Sequence, residues 1–155
     1  MRFKVTYPEM EKFWEYKKLE EMNEEEWESL CDGCARCCMI KLENEKTGFV
    51  DYTAVVCHLL DLDSCQCTSY TRRHALVPNC VSLTAAKALD FKWLPKTCAY
   101  RRLAEGRPLA NWHPLISKDG ESVHRAQVSV RNKVVNETAV HEDQLQEMIV
   151  RWVDH

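Results

Sequence analysis

Residues 31–38 read CDGCARCC, four thiols in eight positions with two of them adjacent. Cys31-x2-Cys34-x2-Cys37 is chelating spacing. Two intervening residues let neighbouring sulfurs turn onto one ion, as in zinc knuckles and iron–sulfur loops. Gly33 supplies the backbone freedom that such a tight loop needs. Cys38 breaks the pattern, because side chains of adjacent residues diverge. Either Cys37 or Cys38 is not a ligand, or the two serve different metals.

Working outward, the chain holds nine cysteines, and the other five are Cys57, Cys65, Cys67, Cys80 and Cys98. All nine lie within residues 31–98 and none in the C-terminal third. A disulfide framework is usually even in number and belongs to smaller secreted chains. Segregation of the thiols therefore predicts a metal-binding central segment, with one or two cysteines left as small core hydrophobes. Thiolates are soft donors, which suits zinc or an iron–sulfur cluster and argues against magnesium or calcium. The bacterial ferredoxin run continues with three residues and then Cys-Pro; here Cys38-Met39 follows Cys37 directly. His58, beside Cys57, is a weaker candidate ligand. His113 in NWHPL and His124 in SVHRA are weaker still, because a histidine among apolar residues is commonly a hydrogen-bonded core residue.

The remaining sequence bounds the function. A chain of 155 residues fits a single domain, 1–155, with its own core. No run approaches the roughly 18–20 apolar residues of a membrane span. MRFKVTYPEMEKFWEYKK shows no secretory leader, so the expected location is the cytoplasm, where thiols stay reduced. There is no G-x-S-x-G, P-loop or G-x-G-x-x-G, and the enzyme question stays undecided. Net charge is −3, but nine Glu fall in residues 9–28 while residues 66–107 are basic. Solvated helix faces account for both. Metal ions are the expected partners; a protein partner is left open, a membrane is not expected and nucleic acid is not favoured.

The predicted fold class is α+β: a small helix-rich domain with an irregular cysteine-rich metal-binding centre and a short β unit. N-terminal helices fill 8–31, the cysteine-rich core 31–98, and a helix, short strands and a C-terminal helix 99–155. Apolar spacing predicts a helix over 8–21, and Asn23 with Glu26 a capping box opening a second helix over 24–31. Extended pieces over 39–56 surround a turn at 46–48. Residues 57–67 form a compact loop, and 69–76 a single helical turn. Short helices follow over 83–91 and 97–105, the latter closed by Gly106. Val128/Val130 alternation predicts a strand over 123–135 with a hairpin at 131–133. A packing helix over 142–153 carries Leu145, Met148, Ile149 and Trp152 on one face. The run from Glu21 to Glu28 reads as solvated charge, and His74, His141 and His155 as surface residues.

CDGCARCC, followed in order by CHLLDLDSCQCTSY (57–70), VPNCVSL (77–83), WLPKTCAYRRLAEGRPLANWHPL (93–115) and VHRAQVSVRNKVV (123–135), resembles the YcgN family within the YkgJ-type CxxCxxCC group of zinc- or iron-chelating domains. The likeness covers roughly residues 8–135. It implies the ligand set Cys31, Cys34, Cys37, Cys38, Cys57, Cys65, Cys67, Cys80 and Cys98, and His113 and His124 also fall in its motifs. One departure is RAQVSVRNK, where the resemblance leads one to expect glycine before the strand and after Arg131. Flagellin lysine methylase carries a similar cysteine motif. The readings that follow are a zinc- or iron-chelating protein with zinc expected, an iron–sulfur protein with redox or radical-type activity, and a zinc module that binds nucleic acid or protein.

Overall fold

The computed structural model describes residues 12–155, so positions 8–11 of the expected first helix lie outside the described residues. The rest of that helix is broken. Helix α1 spans only Phe13–Tyr16, where buried Phe13 and Trp14 meet edge to face. Lys17 and Lys18 then run extended before one 3-10 turn, Leu19–Glu21. The extended path lets Lys17 Nζ reach Glu26 Oε1 at 2.8 Å. Glu26 is buried, so the acidic run is not wholly solvated, and the Lys17 hydrogen bond holds its carboxyl below the ordinary value.

Helix α2, Glu24–Ser29, opens with the expected capping box: Asn23 Oδ1 accepts from the Glu26 amide at 2.8 Å, and Glu26 Oε1 from the Asn23 amide at 3.2 Å. Strands β1 (Met39–Glu43) and β2 (Val50–Val56) form an antiparallel hairpin over the predicted extended pieces. Asn44 Oδ1 turns it by accepting from the amides of Lys46 and Thr47. The register slips between Met39 and Lys41, and there the buried Thr53 hydroxyl donates to the Ile40 carbonyl at 2.7 Å.

A 3-10 turn (Tyr70–Arg72) leads into α3 (Arg73–Leu76); α4 (Ala85–Asp90) and α5 (Ala99–Ala104) follow, as expected. Gly106, at φ +75°, ends α5: its amide bonds the Leu103 carbonyl while that of Arg107 bonds Arg102, a Schellman closure. Helices α6 (Pro114–Ser117) and α7 (Ser122–Arg125) complete the helical part.

Two expectations fail near the C-terminus. The strand and hairpin over 123–135 are replaced by α7 and two tight turns, in which Gln127 (φ +59°) and Asn132 (φ +64°) take left-handed conformations that an extended strand cannot contain. The valine alternation arises because Val123 and Val128 enter one apolar cluster and Val130 another. Only Val135–Asn136 becomes a strand, β3, and it runs parallel to β2 in the sheet order β1-β2-β3. The 142–153 helix is instead a 3-10 stretch, Glu142–Met148, followed by extended chain whose Val150 amide bonds the Tyr52 carbonyl at 2.9 Å. Ile149 bridges Thr53, while Trp152 lies exposed, so no single helical face is buried. His155 is not a plain surface residue: its Nε2 bonds the Val50 carbonyl at 2.7 Å and its ring packs against Tyr52.

Three apolar clusters meet at residues 30–39. Leu30 enters the one built on Phe13, Ala88 and Tyr100; Cys34 packs with Val123 and Val128; Ala35 and Met39 join Tyr52, Val56 and Val130. The thiol-rich loop is thereby held from three sides.

Candidate metal centre

The loop bends at Gly33 (φ +79°) and again at Ala35 (φ +61°). A left-handed alanine costs about 1–2 kcal/mol, and burial of its methyl in the sheet-side cluster holds it there. Buried Asp32 braces the turn: one carboxylate oxygen accepts from the Cys34 amide at 3.0 Å, the other from Trp112 Nε1 at 3.4 Å. The same winding aims amides at sulfur. The Arg36 N–H lies 3.5 Å from Cys34 Sγ, and the Gly33 N–H faces Cys31. Elsewhere the Leu59 amide faces Cys57, and those of Tyr100 and Arg101 face Cys98.

All nine cysteines are free thiols. Burial, together with the negative charge of nearby Cys37, Asp32 and Cys98, raises Cys31 to about 12. Cys34 is pushed well up by the same causes, and Cys98 to about 11. The Cys38 thiol donates to Cys37, which holds Cys37 below the ordinary thiol value and Cys38 above it. Thr97 Oγ1 accepts from Arg36 at 3.3 Å, which fixes the Cys98 segment against the loop.

A second group of thiols sits across the hairpin. The Cys57 amide bonds the Cys38 carbonyl at 3.0 Å, at the open end of the β1–β2 ladder. Residues 57–67 fold back, with Leu60 bridging Cys67 and the Thr68 amide on the Leu59 carbonyl. Cys67 and Cys80 thereby come close enough for their charge to act on Cys57. Cys65 lies elsewhere, buried in the sheet-side cluster beside Ser129 and Arg131.

Two cations that the sequence reading did not single out flank the thiols. Lys41 Nζ donates to the Cys37 and Met39 carbonyls, each at 2.8 Å, and lies over the Tyr52 and Trp93 rings. Burial lowers its pKa, opposed by the charges of Cys37, Cys38 and Cys80. Buried Arg36 donates through Nε to the Val128 carbonyl at 2.7 Å. Neither has a carboxylate at ion-pair distance among the described residues.

The histidines divide. His113 is 2% exposed; its Nε2 donates to the Leu30 carbonyl at 2.8 Å and its Nδ1 accepts from the Leu115 amide at 3.0 Å. Both ring nitrogens are engaged by backbone, and burial lowers the pKa. His124 bonds Ser129 Oγ at 2.7 Å and, with Arg131 and Lys133, lines a cavity of about 450 Å³. His58 pairs with Glu137 next to Cys57. Sequence reading missed Glu137 because 79 residues separate the pair. The parallel register of Val56 with Asn136 brings them together, and a two-residue strand carries little sequence signal.

Soft sulfur donors clustered with unpaired cations fit a thiophilic metal. A protein-family model described as "CxxCxxCC: Putative zinc- or iron-chelating domain" matches residues 30–99. A protein of Marinobacter nauticus is 55% identical over 141 residues, which is 91% of this chain and 95% of that protein, and is described as a UPF0260 protein. The chain belongs to the UPF0260 family. Further UPF0260 proteins, from Cellvibrio japonicus (55% identical) and Azotobacter vinelandii (50%), share 91% of this chain and cover 96% and 95% of their own lengths. No solved structure matches the chain. Among the described residues no helix is long and apolar enough to cross a membrane.

Proposed function

We propose that this UPF0260 protein is a metal chelator whose resident ion is zinc, held by thiolates of the 31–38 loop and of the segments folded against it. Cys31, Cys34 and Cys37 supply three donors at chelating spacing, and Cys98 is the neighbouring fourth. Cys38 lies close enough to Cys57 for that thiol's charge to act on it, and so borders the other group, which accounts for the adjacent pair. The carrying observation is the convergence of positive polarity on these sulfurs. Amides of Gly33, Arg36, Tyr100 and Arg101 face them, and Lys41 lies beside Cys37, Cys38 and Cys80 without a carboxylate of its own. Neutral thiols are weak acceptors and need no counter-charge; thiolates need both. Bound zinc would keep the thiols ionised and tie together loops that little regular structure connects.

The same donors suit an iron–sulfur centre, and the hydrogen-bonded Cys37–Cys38 pair favours a polynuclear one. The narrower likeness to the YcgN group rests on the ordered motifs quoted above. Elemental analysis of anaerobically purified protein, with its visible spectrum, tests the reading. Colourless protein carrying zinc supports it, brown protein with iron and inorganic sulfide replaces zinc with a cluster, and folded metal-free protein refutes chelation.

A further inference from the structure

A different set of donors converges at the edge of the sheet. Cys57 and His58 follow β2 directly, and Glu137 follows β3. One ligand atom from each, Sγ, a ring nitrogen and a carboxylate oxygen, lies within 4.8 Å of the others. The backbone holds the trio in place. The His58 amide donates to Glu137 Oε1 at 3.0 Å, and His58 Nδ1 bonds the same oxygen. The Leu60 amide on the Cys57 carbonyl, at 3.0 Å, turns the chain immediately after the two donors.

The chemistry of the trio differs from that of the thiol loop. Sulfur, imidazole and carboxylate together suit zinc or a similar borderline divalent ion. The histidine is exposed, and the other two residues are half-buried. Three protein donors leave one position of a four-coordinate ion facing solvent, the arrangement of zinc sites that keep an exchangeable ligand. Without metal, the imidazole and the carboxylate are hydrogen-bonded to each other.

We propose that Cys57, His58 and Glu137 form a second, mixed-donor site for a divalent zinc-class ion, with an open coordination position. It adjoins the second group of thiols and takes only Cys57 from the downstream cysteines. On binding, the ion displaces the Cys57 thiol proton to solvent, while His58 coordinates as a neutral ring that keeps one N–H.

The test is zinc binding to the full chain by equilibrium dialysis with metal analysis, together with the zinc-edge X-ray absorption spectrum. Wild type, His58→Gln, Glu137→Gln and Cys34→Ser are compared, and far-UV circular dichroism confirms the fold of each. His58→Gln and Glu137→Gln are expected to lose one zinc per chain, or to weaken it by roughly 10–100-fold or more. They should also lose the nitrogen and oxygen scatterers while the sulfur-bound zinc stays. Cys34→Ser should do the reverse. Unchanged zinc content in both His58→Gln and Glu137→Gln, or an all-sulfur shell in the wild type, overturns the site and leaves the thiolate reading intact. Failure of the thiolate reading alone appears as zinc that survives Cys34→Ser with no sulfur-rich shell in the wild type.

Discussion

Gln127 occupies the position where the motif resemblance led one to expect glycine, and its φ is +59°. The left-handed conformation costs a residue with a Cβ about 1–2 kcal/mol. Its side chain is exposed and has no hydrogen-bond partner among the described residues, so Gln127→Gly removes that strain and breaks no hydrogen bond. Against this, glycine gives the unfolded chain extra freedom worth about 0.5–1 kcal/mol. The net expectation is stabilisation by about 0.5–1 kcal/mol, since relief of strain is the larger effect. For a domain of this size that is about 1–4 °C in Tm. Gln127→Ala keeps the Cβ and should change little. Gln127→Asn should fall between, because asparagine tolerates the left-handed region. Thermal unfolding of the three variants under identical metal loading measures this. A Gln127→Gly protein less stable than wild type would refute the turn geometry and the account of the missing glycine.

Replacing His113 with Phe leaves the Leu30 carbonyl and the Leu115 amide without partners, each costing about 1–3 kcal/mol. Urea unfolding should show a net loss of about 2–4 kcal/mol with zinc content unchanged, whereas loss of zinc would make His113 a ligand. Burial depresses the folded His113 pKa, so below about pH 6.5 the unfolded state binds the extra proton. The stability that neutral His113 contributes is full above that pH and is lost as pH falls toward the folded pKa; in His113→Phe this part of the pH dependence of unfolding should vanish. Asn23→Ala removes the α2 cap and should cost about 1 kcal/mol, read in the same unfolding assay. Lys41→Met removes the counter-charge beside Cys37, Cys38 and Cys80, and should speed zinc loss to a competing chelator while a Lys41→Arg protein largely retains it.

How much the sequence revealed depended on how local the determining interactions are. The Asn23–Glu26 capping box, the turn at 46–48 and the Gly106 closure are each settled within a few residues, and each was legible, although the role of Asn44 in that turn was not. The thiol loop was legible for the same reason. Where a residue's role depends on distant chain, reading failed. Lys17 leaves its helix to reach Glu26, nine residues on. The valines of 123–130 looked like a strand because alternation records burial, and here burial is divided between two clusters around left-handed turns. Leu145 to Trp152 looked like a helical face, yet Ile149 and Val150 are claimed by β2. Lys41 and Arg36 carried no signal as counter-charges, since only the folded loop shows that they lack carboxylates.

The central claim is that ionised thiols from separate segments hold a metal. Its most direct test is the metal-edge X-ray absorption spectrum of protein purified anaerobically without added metal. The account predicts a zinc edge whose nearest shell is dominated by sulfur at about 2.3 Å. Folded protein with no bound metal, or with zinc surrounded only by nitrogen and oxygen, would contradict it.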